Sequence, residues 1–219
     1  TRDERRGVPH HLIDILDVTQ TATVADFQSL ARTAIAECRD RGVIPIVVGG
    51  SALYQRAILD VFEFPGTDPA VRARWEAELE RLGAAGLHRV LAERDPDAAT
   101  SILPGNARRT VRALEILELT GEFAPALPSW TYAIDGVRAV GLELPRELMD
   151  ARIASRVVQM WADGFVDEVR ALERVGLRDG LTASRALGYR QILNFLDGAI
   201  DETEAQEATI KGTRRFARK

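Results

Sequence analysis

The run Ile44-Pro45-Ile46-Val47-Val48 is apolar without a break and ends at Gly49-Gly50-Ser51, after which Ala52, Leu53 and Tyr54 open a second apolar segment. A continuous β-branched run bounded by turn residues predicts a buried strand of a parallel sheet, and the segment after it predicts a helix. Upstream, Val24, Phe27, Leu30, Ala31, Ala34, Ile35 and Cys38 recur at helical spacing behind Thr23 and stop at Gly42. Two more strands are predicted, over Val8–Leu16 and Val137–Leu144. Helix, buried strand, helix is the rhythm of a doubly wound α/β fold.

Between about 66 and 121 the pattern turns helical throughout. One helix starts at a Thr67 or Asp68 cap with Pro69 in its first turn and runs to Leu82. Others cover Ala85–Arg94, Pro96–Leu103, and a stretch from an Asn106 cap to Leu119 that Gly121 stops. Phe123–Asp135, carrying Pro125, Pro128 and Trp130, reads as a linker. After Pro145 a helix turns Leu148, Ile153, Val157 and Met160 inward and breaks at Gly164. Further helices follow over Val166–Val175, up to Asp197, and from about 202 to 219. The expected domains are a core in two parts, 1–65 and 131–219, split by a helical insertion with its linker at 66–130.

Composition narrows the picture. The 219 residues are 46% hydrophobic, enough for a packed core, and the net charge is −4, so nucleic acid would have to be met by local basic clusters. The single cysteine, Cys38, excludes a disulfide framework. No apolar run approaches the length of a membrane span, so no membrane association is expected and a cytoplasmic location is. The chain opens on Thr1 and stops inside a basic helix, which reads as part of a longer chain.

Several groups could carry chemistry. Gly49 and Gly50 would let a ligand approach the backbone, and Ser51 would sit at a helix start, either as an ordinary N-cap or beside a bound anion. Arg108, Arg109 and Arg112 crowd one side of a capped helix, where neighbouring carboxylates or a phosphate would offset their repulsion. Residues 211–219 hold five basic residues, Lys211, Arg214, Arg215, Arg218 and Lys219, and no acid, which favours a nucleic-acid backbone. Arg152 and Arg156 stand one turn apart, ready for phosphate or for an ion pair with Glu147 or Asp150. His10 and His11 would point to opposite faces of a strand and chelate poorly together.

With these residues named, the chain resembles the bacterial tRNA dimethylallyltransferases, also called tRNA isopentenyltransferases. The likeness is carried by Pro9-His10-His11-Leu12-Ile13-Asp14, Val24-Ala25-Asp26-Phe27, Pro45 through Tyr54, and Asp68-Pro69-Ala70-Val71-Arg72-Ala73-Arg74. It continues through Arg109-x-x-Arg112-Ala113-Leu114-Glu115, Arg152-Ile153-x-x-Arg156, Gly188-Tyr189-Arg190-Gln191 and Thr213-Arg214-Arg215-x-Ala217-Arg218.

The resemblance implies a P-loop-NTPase-like parallel sheet core with an all-helical insertion domain, and nucleotide (ATP) binding is expected of such a core. It implies transfer of a dimethylallyl group from dimethylallyl diphosphate to the exocyclic amine of the adenine 3′ of the anticodon, assisted by Mg2+. The implied partner is the tRNA anticodon stem-loop, bound by a monomer. By motif, Ser51 would meet the target adenine or the bridging oxygen, and Arg156, with Arg152 a turn away, would steady the departing diphosphate. Arg72, Arg108, Arg109, Thr110, Val111 and Arg112 take positions that grip the stem-loop, as do Arg214, Arg215 and Arg218 on the terminal helix. Gly188–Gln191 is either core packing or a substrate contact. The family's phosphate loop, G-x-T-x-x-G-K-(S/T), and its D-(S/A)-x-Q segment, whose aspartate is the proposed general base, are absent from these residues, so these residues alone are expected to be incomplete for catalysis and no metal ligand is assigned. Two other readings remain at this stage, a P-loop nucleotide kinase-like phosphotransferase and a non-catalytic tRNA-binding fragment.

Overall fold

The structure is a computed structural model that describes residues 5–61, 63–124 and 130–218. Residues 125–129 of the predicted linker, and Lys219 of the basic group, lie outside the described residues. The chain divides into two compact units, Thr1–Val48 with Arg138–Lys219, and Gly49–Val137. In chain order the helices are α1 (Val24–Asp40), α2 (Ala52–Leu59), α3 (Pro69–Arg94), α4 (Pro96–Ser101), α5 (Ala107–Thr120), α6 (Arg146–Ala162), α7 (Phe165–Glu173), α8 (Tyr189–Leu196) and α9 (Glu202–Phe216).

The Gly49–Val137 unit contains α2 to α5. Caps read from the sequence set its helix starts. Asp68 accepts from the amides of Ala70 and Val71, Asp95 from that of Ala98, and Asn106 from that of Arg109. Inside α3, Gly83 takes φ 69° and ψ 169°, which splits it where two helices are predicted. The core is Trp75, Leu87, Leu91, Ala98, Ala99, Ile102, Val111, Ala113 and Leu114, gathered where α3 packs on α4 and α5. In this division the unit begins at Gly49, before α2. Asp60 forms an isolated antiparallel bridge with Tyr132, and the Arg56 guanidinium lies 4.6 Å from the centre of the Trp130 ring. These contacts hold α2 to the residues that follow α5.

The other unit holds α1 and α6 to α9. Its main core is Phe165, Val166, Val169, Leu177, Ile192 and Leu193, and α9 packs along α6 and α8. Gly188, at φ 95°, sits so close to Phe165 that a Cβ would lie 2.8 Å from two ring carbons. Gln191 is buried and accepts from the Gly188 amide at 2.9 Å. Gly188 and Gln191 of the motif thus take part in core packing.

Among the described residues none of the three predicted strands forms, so the expected parallel sheet core is not seen. Over Val8–Leu16 the chain bends, with Leu12 at φ 62° and Asp14 at φ 58°, a left-handed backbone no strand tolerates. Ile44, Ile46 and Val48 are 83–89% exposed, and Val140 and Leu142 are equally bare. A central strand needs a hydrogen-bonded neighbour on each side, and no described segment runs beside either stretch.

Candidate functional site

Ser51 takes the N-cap place of α2 in extended backbone, yet its side chain makes no capping bond. The Ser51 hydroxyl is thus not committed to the helix start. Gln55 folds back to donate to the Gly49 carbonyl at 2.5 Å, and a Cβ at Gly49 or Gly50 would meet nothing within 4 Å. A glycine turn fastened by one side chain, with clear space around it, is what the sequence pattern requires for close approach of an anion.

The feature that sequence reading missed lies at the entry to α3. Glu115, on α5, is fully buried and gathers five donors. Thr67 Oγ1 donates to Oε1 at 2.6 Å and the Asp68 amide at 3.2 Å. On Oε2 it receives Arg72 Nη2 at 2.5 Å and Nε at 3.1 Å, and Arg112 Nη1 at 2.8 Å. Burial alone would push this carboxyl up, but the hydrogen bonds from Arg72, Thr67 and Arg112 outweigh it and hold the pKa down at about 2. Arg112 also donates to the carbonyls of Gly66 and Pro65 at 3.0 and 2.6 Å. The signal available beforehand was Arg112 and Glu115 at i, i+3, the spacing of a helical ion pair.

This alters the expected RNA-gripping set. Arg72 and Arg112 spend their donors inside the unit, clamping residues 65–68 to α5. Thr110 is fully buried with its hydroxyl on the Asn106 carbonyl at 3.2 Å, and Val111 belongs to the core, so neither side chain is at the surface. Val and Thr on the inner stripe of an amphipathic helix pack rather than bind. Arg108 and Arg109 are exposed on the outer face of α5.

On α6, Arg152 and Arg156 are exposed on one face and bond to no described side chain. The ion pair considered for them with Asp150 does not form, because Asp150 is taken by α9. Arg214 donates to its backbone carbonyl from Nε at 3.3 Å and Nη2 at 3.1 Å, and Arg218 Nη2 reaches Oδ2 at 3.1 Å. Between α6 and α9 runs a groove of about 550 Å³ lined by Ala154, Ile210, Lys211, Arg214, Arg215 and Arg218, with Glu207.

Among the described residues no three His, Cys, Asp or Glu side chains come together to hold a metal ion. The expected Mg2+ thus finds no protein cage there. A magnesium ion arriving with a diphosphate would be held mainly by phosphate oxygens and water. His10 Nδ1 lies 2.8 Å from the Val8 carbonyl while His11 Nε2 lies 3.8 Å from Cys38 Sγ, so the pair diverges. No described helix is long and apolar enough to cross a membrane.

Arginines on α6 that bond to no described side chain, a basic stripe on α9 and an uncapped Ser51 hydroxyl are features that would suit phosphate-bearing ligands. Comparison with known proteins makes that specific. The family model described as IPP transferase matches residues 1–219. A tRNA dimethylallyltransferase of Kineococcus radiotolerans is 61% identical over 220 residues, covering all of this chain and 69% of that protein. One from Cutibacterium acnes is 58% identical with the same coverage. The crystal structure of the full-length tRNA isopentenylpyrophosphate transferase of Bacillus halodurans superposes with a TM-score of 0.64 at 37% identity, covering all of this chain and 69% of that one. The chain belongs to the IPP transferase family, a family of prenyltransferases.

Proposed function

We propose that the protein transfers a dimethylallyl group from dimethylallyl diphosphate to the exocyclic amine of the adenine 3′ of the anticodon in tRNA. The match to the IPP transferase family across every residue carries this reading. The bond between the prenyl C1 and the bridging oxygen breaks, and diphosphate leaves with the electron pair. The adenine nitrogen forms the new C–N bond and gives up one proton. Arg152 and Arg156, unpaired on α6, suit the charge that grows on the departing diphosphate. Ser51 meets the adenine or the bridging oxygen with its uncommitted hydroxyl. The base is extruded from the anticodon loop at a cost of a few kcal/mol.

Arg108 and Arg109 on α5, with Lys211 and Arg215 on α9, supply phosphate contacts to the stem-loop. The core is P-loop-like and completes its sheet around the bare runs at 44–48 and 137–144. Magnesium accompanies the donor, and the enzyme works as a cytoplasmic monomer.

Arg156→Ala tests the assignment. Steady-state kinetics with labelled donor should show a fall in kcat of about 10²–10³, the worth of one donor on developing charge, with tRNA affinity within twofold of wild type. Arg215→Ala should do the reverse. A loss of tRNA affinity alone in Arg156→Ala overturns its role.

A further inference from the structure

The basic stripe of α9 is divided. Lys211 and Arg215 are exposed beside the α6 groove and bond to no described side chain. Arg214 and Arg218 are turned onto a single residue, Asp150, one by its backbone carbonyl and the other by its carboxylate. The two attachments differ in kind. A carbonyl is neutral and leaves the charge of Arg214 uncancelled, whereas the carboxylate cancels that of Arg218. Arg218 is also the one hydrogen-bond donor to that carboxylate among the described residues, since Asp150 Oδ1 is buried with no partner. The Asp150 side chain is 23% exposed and that of Arg218 46%. Moving Arg218 to a phosphate would therefore strip a largely buried carboxylate of its counter-charge. Glu207, the acid among the groove's lining residues, makes no ion pair with Arg218.

We propose that Asp150 withholds Arg218 from the RNA backbone, making it a positioning residue that sets how many phosphates α9 neutralises. This rests on the reading of tRNA as substrate. In the free protein Lys211, Arg214 and Arg215 face the phosphodiester backbone with net charge to offer, and Arg218 does not.

The test is equilibrium binding of an anticodon stem-loop RNA to the intact protein across a range of salt. Asp150→Asn should bind about three- to fivefold more tightly at low salt, the worth of a partly exposed ion pair. Its slope of log K against log salt should steepen by about 0.7–0.9, one further phosphate contact. Asp150→Ser, which also removes the carboxylate, should behave alike and covers the case in which the first variant fails to fold. On an Arg218→Ala background the gain from Asp150→Asn should vanish. An equal gain on that background means the carboxylate acts by general repulsion, and overturns the proposal. So does an unchanged slope in both Asp150 variants. A wild-type protein with no salt-dependent affinity for the stem-loop overturns the tRNA reading itself, a different result from either.

Discussion

Glu115 shows how one carboxylate can fix the start of a helical unit. Its five donors come from both ends of the connection, with Thr67, Asp68 and Arg72 from the start of α3 and Arg112 from α5. Removing it leaves two arginines facing inward without a counter-charge. Both are partly exposed, at 40% and 28%, so the loss in Glu115→Ala should be about 2–3 kcal/mol, below that of a fully buried pair. Urea unfolding would measure it. The pH dependence has a definite sign, because the folded pKa of about 2 lies below the ordinary 4.5. The contribution is complete above about pH 5 and is lost as pH falls toward 2. The stability gap between wild type and Glu115→Ala should therefore narrow over that interval, and a gap that widens would contradict the clamp.

Gly188 makes the complementary case, where nothing can be added. A Cβ there would press on the Phe165 ring in a left-handed backbone. Gly188→Ala should cost about 2–4 kcal/mol, from overpacking and strain together. Thermal unfolding separates this from a substrate contact, which would lower activity and leave stability unchanged.

Helices were legible because their signals are local. Asp68, Asn106, Gly83 and Gly121 each set a boundary through their own backbone or a neighbour three residues away. The strands were not, because a strand is specified by what pairs with it, and Ile44–Val48 carries the composition of a buried strand while lying bare. The candidate site divides along the same line. Exposure of Arg152, Arg156 and Arg215 on their helices follows from periodicity. The capture of Arg72 by Glu115, and of Arg218 by Asp150, joins residues 43 and 68 positions apart, which no local pattern encodes, whereas the Arg112–Glu115 pair at i, i+3 lay within reach of the sequence. An arginine cluster read from sequence counts charges without telling which are already spent. For α9 the consequence is measurable. Lys211→Ala and Arg215→Ala should each flatten the salt dependence of stem-loop binding by about 0.7–0.9, one phosphate apiece.

The proposed chemistry requires Ser51 and Arg156 to act on one transition state. Kinetics can test that. Ser51→Ala removes one neutral hydrogen bond and should lower kcat up to about tenfold. Arg156→Ala should cost far more. If the two act independently, the double variant loses the product of the two factors. If both stabilise the same developing charge on the bridging oxygen, removing Arg156 already displaces the reacting group that Ser51 addresses. The second substitution then costs little, so that the double variant falls short of the product by several-fold. Single-turnover rates with saturating donor and tRNA are the right measure, since they exclude product release from the comparison. Strict multiplication of the two losses would mean that the hydroxyl and the guanidinium do not share a transition state.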